Sequence, residues 1–241
     1  MSKSKKMFIG SISLNLLLLA FLMIGFYKVG GIAIAKAQIS ELFGKEIVTS
    51  EEKIFKQRQS LFESLDIEEG SVVFLGDSLI QYNEWSEMFP EENVYNRGIS
   101  GDTTYGVLSR IDSIIDAKPQ KIVLEIGIND LVSGVDTTQT VNNYSKILTK
   151  IKDSNANIDV LALGVLPINS SLFVGNISNN DIQALNIEIE KVVSKKGYNF
   201  IDSFASFENN GELSRELSED GIHLTGEGYS VWKENLEPYL N

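Results

Sequence analysis

The sequence predicts an α/β fold, a three-layer sandwich in which helices cover both faces of a parallel sheet. Three observations predict it. Short apolar runs of strand length alternate with stretches of helical periodicity, which is the pattern of βαβ units. The strand-like runs are apolar on successive residues, as in strands buried on both faces. Four prolines and no low-complexity tract leave the alternation unbroken over nearly 200 residues. An amino-terminal apolar segment stands apart from this pattern and is read as a transmembrane helix.

The elements follow in order. Residues 1–37 hold Lys3, Lys5, Lys6, Lys28 and Lys36 and no acid, in a chain of 241 residues with net charge −12. The acidic excess therefore lies wholly beyond residue 37. Met7 to Tyr27 is uncharged, and about 21 residues at about 1.5 Å each span a bilayer core. The preceding lysines favour a cytoplasmic amino terminus and an extracytoplasmic domain. The run exceeds the core of a signal peptide, so it is read as a single-pass anchor of the cell membrane. Cleavage near Ala37, in Ala35-Lys36-Ala37, with secretion, is the alternative. Residues 38–49 read as a connector and 50–241 as a single folded domain.

Ser50 opens a helix as a plausible cap, although Lys53 stands where a capping box wants Glu or Gln. Ile54, Phe55, Leu61, Phe62 and Leu65 follow at roughly helical spacing. Strands are predicted at 71–76, 93–96, 121–126, 158–163 and 198–201. Helices are predicted near 79–89, 104–116, 138–153, 180–196 and 226–238.

In such a fold the ligand site lies beyond the carboxyl ends of the strands. The first strand delivers GDSL at 76–79, the second is followed by GISGDT at 98–103, the third delivers GIND at 127–130, and DGIHLT at 220–225 precedes the last helix. A serine between a strand and a helix is placed for attack but needs a base. His223 is the chain's single histidine. Asp220, three residues earlier, can fix its tautomer. The N–H groups of Ser78 and Gly101 and the side-chain amide of Asn129 form a candidate oxyanion hole. Asp77 and Asp130 either support this site from behind or order their own loops. Each block alone has an ordinary explanation as turn or cap; their joint, ordered occurrence is the signal.

These blocks resemble the SGNH (GDSL) hydrolase family over about residues 50–238. GDSL carries the nucleophile Ser78, NRGISGDTT at 96–104 the oxyanion glycine Gly101, GIND the oxyanion Asn129, and DGIHL the acid Asp220 and base His223. FLGDSLIQYNEW and NRGISGDTTYGVLSRI are most similar to the platelet-activating-factor acetylhydrolase subgroup. The resemblance implies a flavodoxin-like fold of about five parallel strands and ester hydrolysis without metal or cofactor. Substrates would be a small ester, a lipid or an acylated carbohydrate, with acetyl groups favoured. The order Ser, Asp, His is shared with α/β-hydrolases, but no G-x-S-x-G is present.

Composition agrees. With no cysteine and one histidine, disulfides, thiolate zinc sites, a cysteine nucleophile and multi-histidine metal sites within the chain are excluded. The acidic balance speaks against a nucleic-acid partner. An O-acyltransferase on a wall polysaccharide and a non-catalytic surface binding module are the alternatives. The segment 165–176 is predicted on the site's side of the sheet, where Leu172, Phe173 and Val174 either meet substrate or pack as an ordinary loop.

Overall fold

The computed structural model describes residues 50–240. The predicted anchor and connector, 1–49, lie outside these residues, as do the side chains of the Ser50 cap. No helix among the described residues is long and apolar enough to cross a membrane. The elements are α1 (Ser50–Glu63), β1 (Val72–Gly76), α2 (Ser78–Gln81), α3 (Trp85–Met88), β2 (Val94–Gly98), α4 (Thr104–Ile115), β3 (Lys121–Glu125), α5 (Ile128–Val132), α6 (Thr137–Ser154), β4 (Asp159–Leu163), α7 (Asn179–Lys196), β5 (Asn199–Ile201), α8 (Phe204–Phe207), the two-residue strands β6 (Glu208–Asn209) and β7 (Glu212–Leu213), and α9 (Gly226–Leu240).

Five strands form one parallel sheet in the order β2-β1-β3-β4-β5. The predicted architecture is observed. Alternation within β1 divides the core: Val73 and Leu75 face Ile111, Ile122, Leu124, Tyr144 and Ile189, whereas Val72 and Phe74 face Trp85, Val123, Leu161 and Trp232. Helices α4, α6 and α7 thus cover one face, and α3 and α9 the other. The chain leaves β1 toward β2 and later returns to β3 on its opposite side. A crevice opens where the order reverses, at the carboxyl end of β1.

The register fixes what meets there. Gly76 pairs with Gly98 on one side and with Glu125 on the other. A Cβ on Gly76 would stand 2.0 Å from the Glu125 carbonyl oxygen, and one on Gly98 would stand 2.3 Å from the Gln81 nitrogen. Two strand-end glycines therefore let α2 sit directly on the sheet.

The single helix predicted over 79–89 is two short ones. The break has a cause: Asn96 Nδ2 on β2 donates to the carbonyls of Ile80, Gln81 and Asn83 at 2.9, 3.3 and 3.0 Å, taking acceptors that a continuous helix would use itself. Sequence periodicity also passes over α5, α8 and the β6–β7 hairpin, which are too short to carry a period. Helix α7 matches its prediction, because Ser178 and Asp181 form a full capping box and Gly197 ends it in a left-handed turn.

Trp85 anchors the second core face. It is 1% exposed, stacks on Phe74 at 4.1 Å, meets Trp232 edge-on at 5.6 Å, and donates from Nε1 to the Ile80 carbonyl at 2.8 Å. Trp85→Ala is expected to lower unfolding stability by about 3–5 kcal/mol, measured by urea denaturation of the domain.

Candidate active site

The site assembles from four loops at the carboxyl ends of the strands and before α9. Asp77 caps α2, accepting the Leu79 N–H on Oδ1 at 3.0 Å. Ser78, the first residue of α2, is 7% exposed. His223 Nε2 lies 3.1 Å from Ser78 Oγ, and His223 Nδ1 lies 2.6 Å from Asp220 Oδ2. With the proton on Nδ1, donated to Asp220, Nε2 is free to accept from the serine hydroxyl. Three residues 145 and three positions apart in sequence thus form one hydrogen-bonded line.

The Asp220 loop holds its carboxylate from below. The Ile222 and His223 N–H groups donate to Oδ1 at 3.0 and 2.8 Å. Burial alone would raise this carboxyl, but the bonds from the His223 ring and from the two amides outweigh it and hold the group down at about 2. Asp220 therefore keeps its charge until the pH falls to that value, and milder acid loss of function belongs to other groups.

Gly221 shapes this loop. Its φ is +85°, and an added Cβ would lie 2.7 Å from the Asn169 carbonyl oxygen and 2.8 Å from the Phe173 nitrogen. The Asn169 N–H donates to the Gly221 carbonyl at 2.8 Å. The segment after β4 thus braces the Asp220 loop. Phe173 packs on the core, Leu172 is half-buried beside Gly221, and Val174 is 99% exposed.

The predicted oxyanion donors lie on the neighbouring loops. Gly101 has open space where its Cβ would be, and the preceding residue is pinned from α2, since the Ser100 N–H donates to Gln81 Oε1 at 2.8 Å. The Tyr82 hydroxyl shares a 3.0 Å hydrogen bond with Ser100 Oγ, and its ring stands 5.3 Å from that of His223. Asn129 Nδ2 donates to Asp77 Oδ2 at 3.2 Å and to the Asp102 carbonyl at 2.9 Å. That amide bridges all three loops. Asp130 joins the same frame: its carboxylate accepts from Thr104 N–H at 2.9 Å and Thr104 Oγ1 at 2.6 Å.

Two buried residues of this frame escape sequence reasoning. Arg110 on α4 is 6% exposed; its guanidinium meets Asp102 Oδ2 at 2.8–2.9 Å and donates to the Gly76 carbonyl at 3.2 Å. Burial lowers its proton affinity and raises that of Asp102, to about 6, although each opposes the change in the other. Glu125 closes β3 with no exposed surface. Its signal was a lone acid inside an apolar strand. That of Arg110 was a cation on the buried stripe of Val107, Ile111 and Ile114. Among the described residues no cluster of His, Cys, Asp and Glu could hold a metal ion.

The model of the GDSL-like Lipase/Acylhydrolase family matches residues 74–231. Platelet-activating factor acetylhydrolase IB subunit alpha2 of Homo sapiens is 28% identical over 170 residues, 67% of this chain and 72% of that protein. An arylesterase of Vibrio mimicus is 32% identical over 104 residues, 43% of this chain and 49% of its own length. A solved structure from Streptococcus pneumonia, described as a platelet activating factor, has a TM-score of 0.72 at 27% identity, covering 85% of this chain and 99% of its own. The acetyl xylan esterase AlAXEase shares the fold, with a TM-score of 0.61 at 22% identity over 71% of this chain and all of its own.

Gly221→Ala tests the brace on the Asp220 loop. The left-handed backbone and the two close contacts predict a stability loss of about 1–3 kcal/mol. The loop must also move, so the ring resonances of the chain's one histidine should shift in an NMR spectrum. Unchanged resonances would show that the loop absorbs the methyl group in place.

Proposed function

Because the chain belongs to the GDSL-like lipase/acylhydrolase family and is a carboxylic ester hydrolase, we propose that it cleaves its ester by a serine mechanism centred on Ser78. The observation that carries this reading is the line of 3.1 and 2.6 Å from Ser78 through His223 to Asp220. Ser78 Oγ attacks the carbonyl carbon while His223 Nε2 takes its proton. Asp220, charged throughout, orients the ring and stabilises the imidazolium. The carbonyl oxygen becomes an anion received by the N–H groups of Ser78 and Gly101 and by the Asn129 amide. As the tetrahedral species collapses, His223 returns the proton to the departing alcohol. Water then attacks the acyl-serine by the same route in reverse, giving the carboxylic acid and free Ser78.

A short acyl group, acetyl above all, is the proposed cargo. Ser78 has little open surface, and the Tyr82 ring narrows the approach beside His223. The name of the human relative, an acetylhydrolase, points the same way. The alcohol part belongs to a lipid or a carbohydrate. The basic, apolar segment 1–37 supports an anchored protein with the domain outside the cell. Protease shaving of intact cells checks this: removal of the domain is expected, and its protection would reverse the orientation.

In the soluble domain, Ser78→Ala and His223→Ala are expected to abolish hydrolysis of an acetyl ester while leaving the thermal unfolding profile in place. Asn129→Ala is expected to lower kcat by about 10²–10³-fold, the worth of one oxyanion donor. Full turnover by a folded Ser78→Ala protein would refute the serine mechanism.

Acyl preference is read from a series of p-nitrophenyl esters. The acetyl ester should have the highest kcat/KM. A higher value for the octanoyl ester would remove the short-chain assignment and leave the mechanism untouched.

A further inference from the structure

Four carboxyl groups crowd behind the Ser78 loop: Asp77, Asp102, Asp130 and Glu125. Three of them have donors. Asp102 has Arg110 and the Thr103 N–H, Asp130 has Thr104, and Asp77 has the Leu79 N–H and the Asn129 amide. Glu125 has none: among the described residues no amide, hydroxyl or cation donates to either of its oxygens. Its side chain is fully buried, and the pairing of Glu125 with Gly76 sets it beside the carboxyl of Asp77. Two carboxylates cannot bond each other without a proton between them. That proton belongs on Glu125, because the donors around Asp77 already stabilise an anion there and nothing does so for Glu125.

We propose that Glu125 is a positioning residue of the ester hydrolysis, held as the neutral acid, whose O–H bonds Asp77 and so governs how tightly Asp77 grips the Asn129 amide. This inference rests on the serine mechanism above. Both N–H groups of Asn129 are engaged in the free protein, one by the Asp102 carbonyl at 2.9 Å and one by Asp77 at 3.2 Å. An oxyanion must displace one of them, and the longer bond is the one to give way. A proton donated by Glu125 draws charge out of the Asp77 carboxyl, which weakens its hold on Asn129. It also removes one negative charge from behind the position where the oxyanion forms.

The surroundings favour the neutral acid. Burial first, and then the Asp77 charge and the hydrogen bond to it, push Glu125 well above the usual carboxylate range. Asp77 is itself raised, by burial first, with Asp102 and Asp130 adding to the effect. Tyr144 and Tyr229 both feel the Glu125 site, and burial raises each, so neither brings a charge. Arg110 is committed to Asp102 and to the Gly76 carbonyl.

Two measurements test the proposal. The infrared difference spectrum of wild type minus Glu125→Gln at pH 7 should contain the C=O stretch of a protonated carboxylic acid. A difference holding only carboxylate bands would mean that Glu125 is ionised and would overturn the proposal. In steady-state kinetics, Glu125→Leu, which cannot donate, should lower kcat at least about tenfold with KM within about twofold. Glu125→Gln, which can donate, should restore kcat to within about threefold of wild type. Equal kcat values in folded Leu and Gln variants would also overturn it. Should the Leu variant not fold, the spectrum and the Gln variant decide. The spectrum needs no turnover, so its failure is separate from that of the serine mechanism, which Ser78→Ala decides.

Discussion

The Arg110–Asp102 pair braces three chain segments beyond what sheet pairing provides. Arg110 belongs to α4, Asp102 to the loop after β2, and the Gly76 carbonyl to the end of β1. Buried ion pairs repay their desolvation only with good geometry and full hydrogen bonding. Here both conditions are met, since the guanidinium also takes a backbone carbonyl and the carboxylate also takes the Thr103 N–H. Losing one partner would strand the other charge in the core, at a cost of about 3–5 kcal/mol. The pair fixes the loop carrying Gly101 against the end of β1 just ahead of Ser78, so local order at the site is inherited from a buried ion pair.

Rigidity then passes outward along hydrogen bonds. Asn129 ties α5 to both Asp77 and Asp102, and Thr104 ties α4 to Asp130. The Asp220 loop is supported differently. It leans on the segment after β4 through Asn169 and Gly221, and that segment is pinned in turn to the hairpin, where Asn169 Nδ2 donates to the Leu213 carbonyl at 2.8 Å. Ser78 and His223 are therefore mounted on separate supports, one at the end of β1 and one on the segment after β4 and the hairpin. The Ser78–His223 bond is where they meet.

Much of this was legible in the sequence, for physical reasons. Strands buried on both faces announce themselves as apolar runs, and β1, β3 and β4 were found on that signal. Ser78, Gly101, Asn129, Asp220 and His223 were singled out because their four blocks occur together and in order, although each block alone could be a turn or a cap. Arg110 and Glu125 were not, because each sits inside a regular element whose period they interrupt by a single residue. A lone acid in the apolar run of β3 marks Glu125 as unusual, but only the pairing of Gly76 with Glu125 puts it beside Asp77. The break between α2 and α3 was equally hidden, since Asn96, which captures the freed carbonyls, is distant in sequence.

The Ser78–His223 bond spans 145 residues, and the Asp220 loop comes after all five strands of the sheet. During synthesis the five sheet strands are complete by Ile201, well before the imidazole leaves the ribosome. A growing chain can therefore build its whole central layer before His223 reaches Ser78. A polypeptide cut short ahead of Asp220 would keep Ser78 on a finished central sheet and lose both groups that face it.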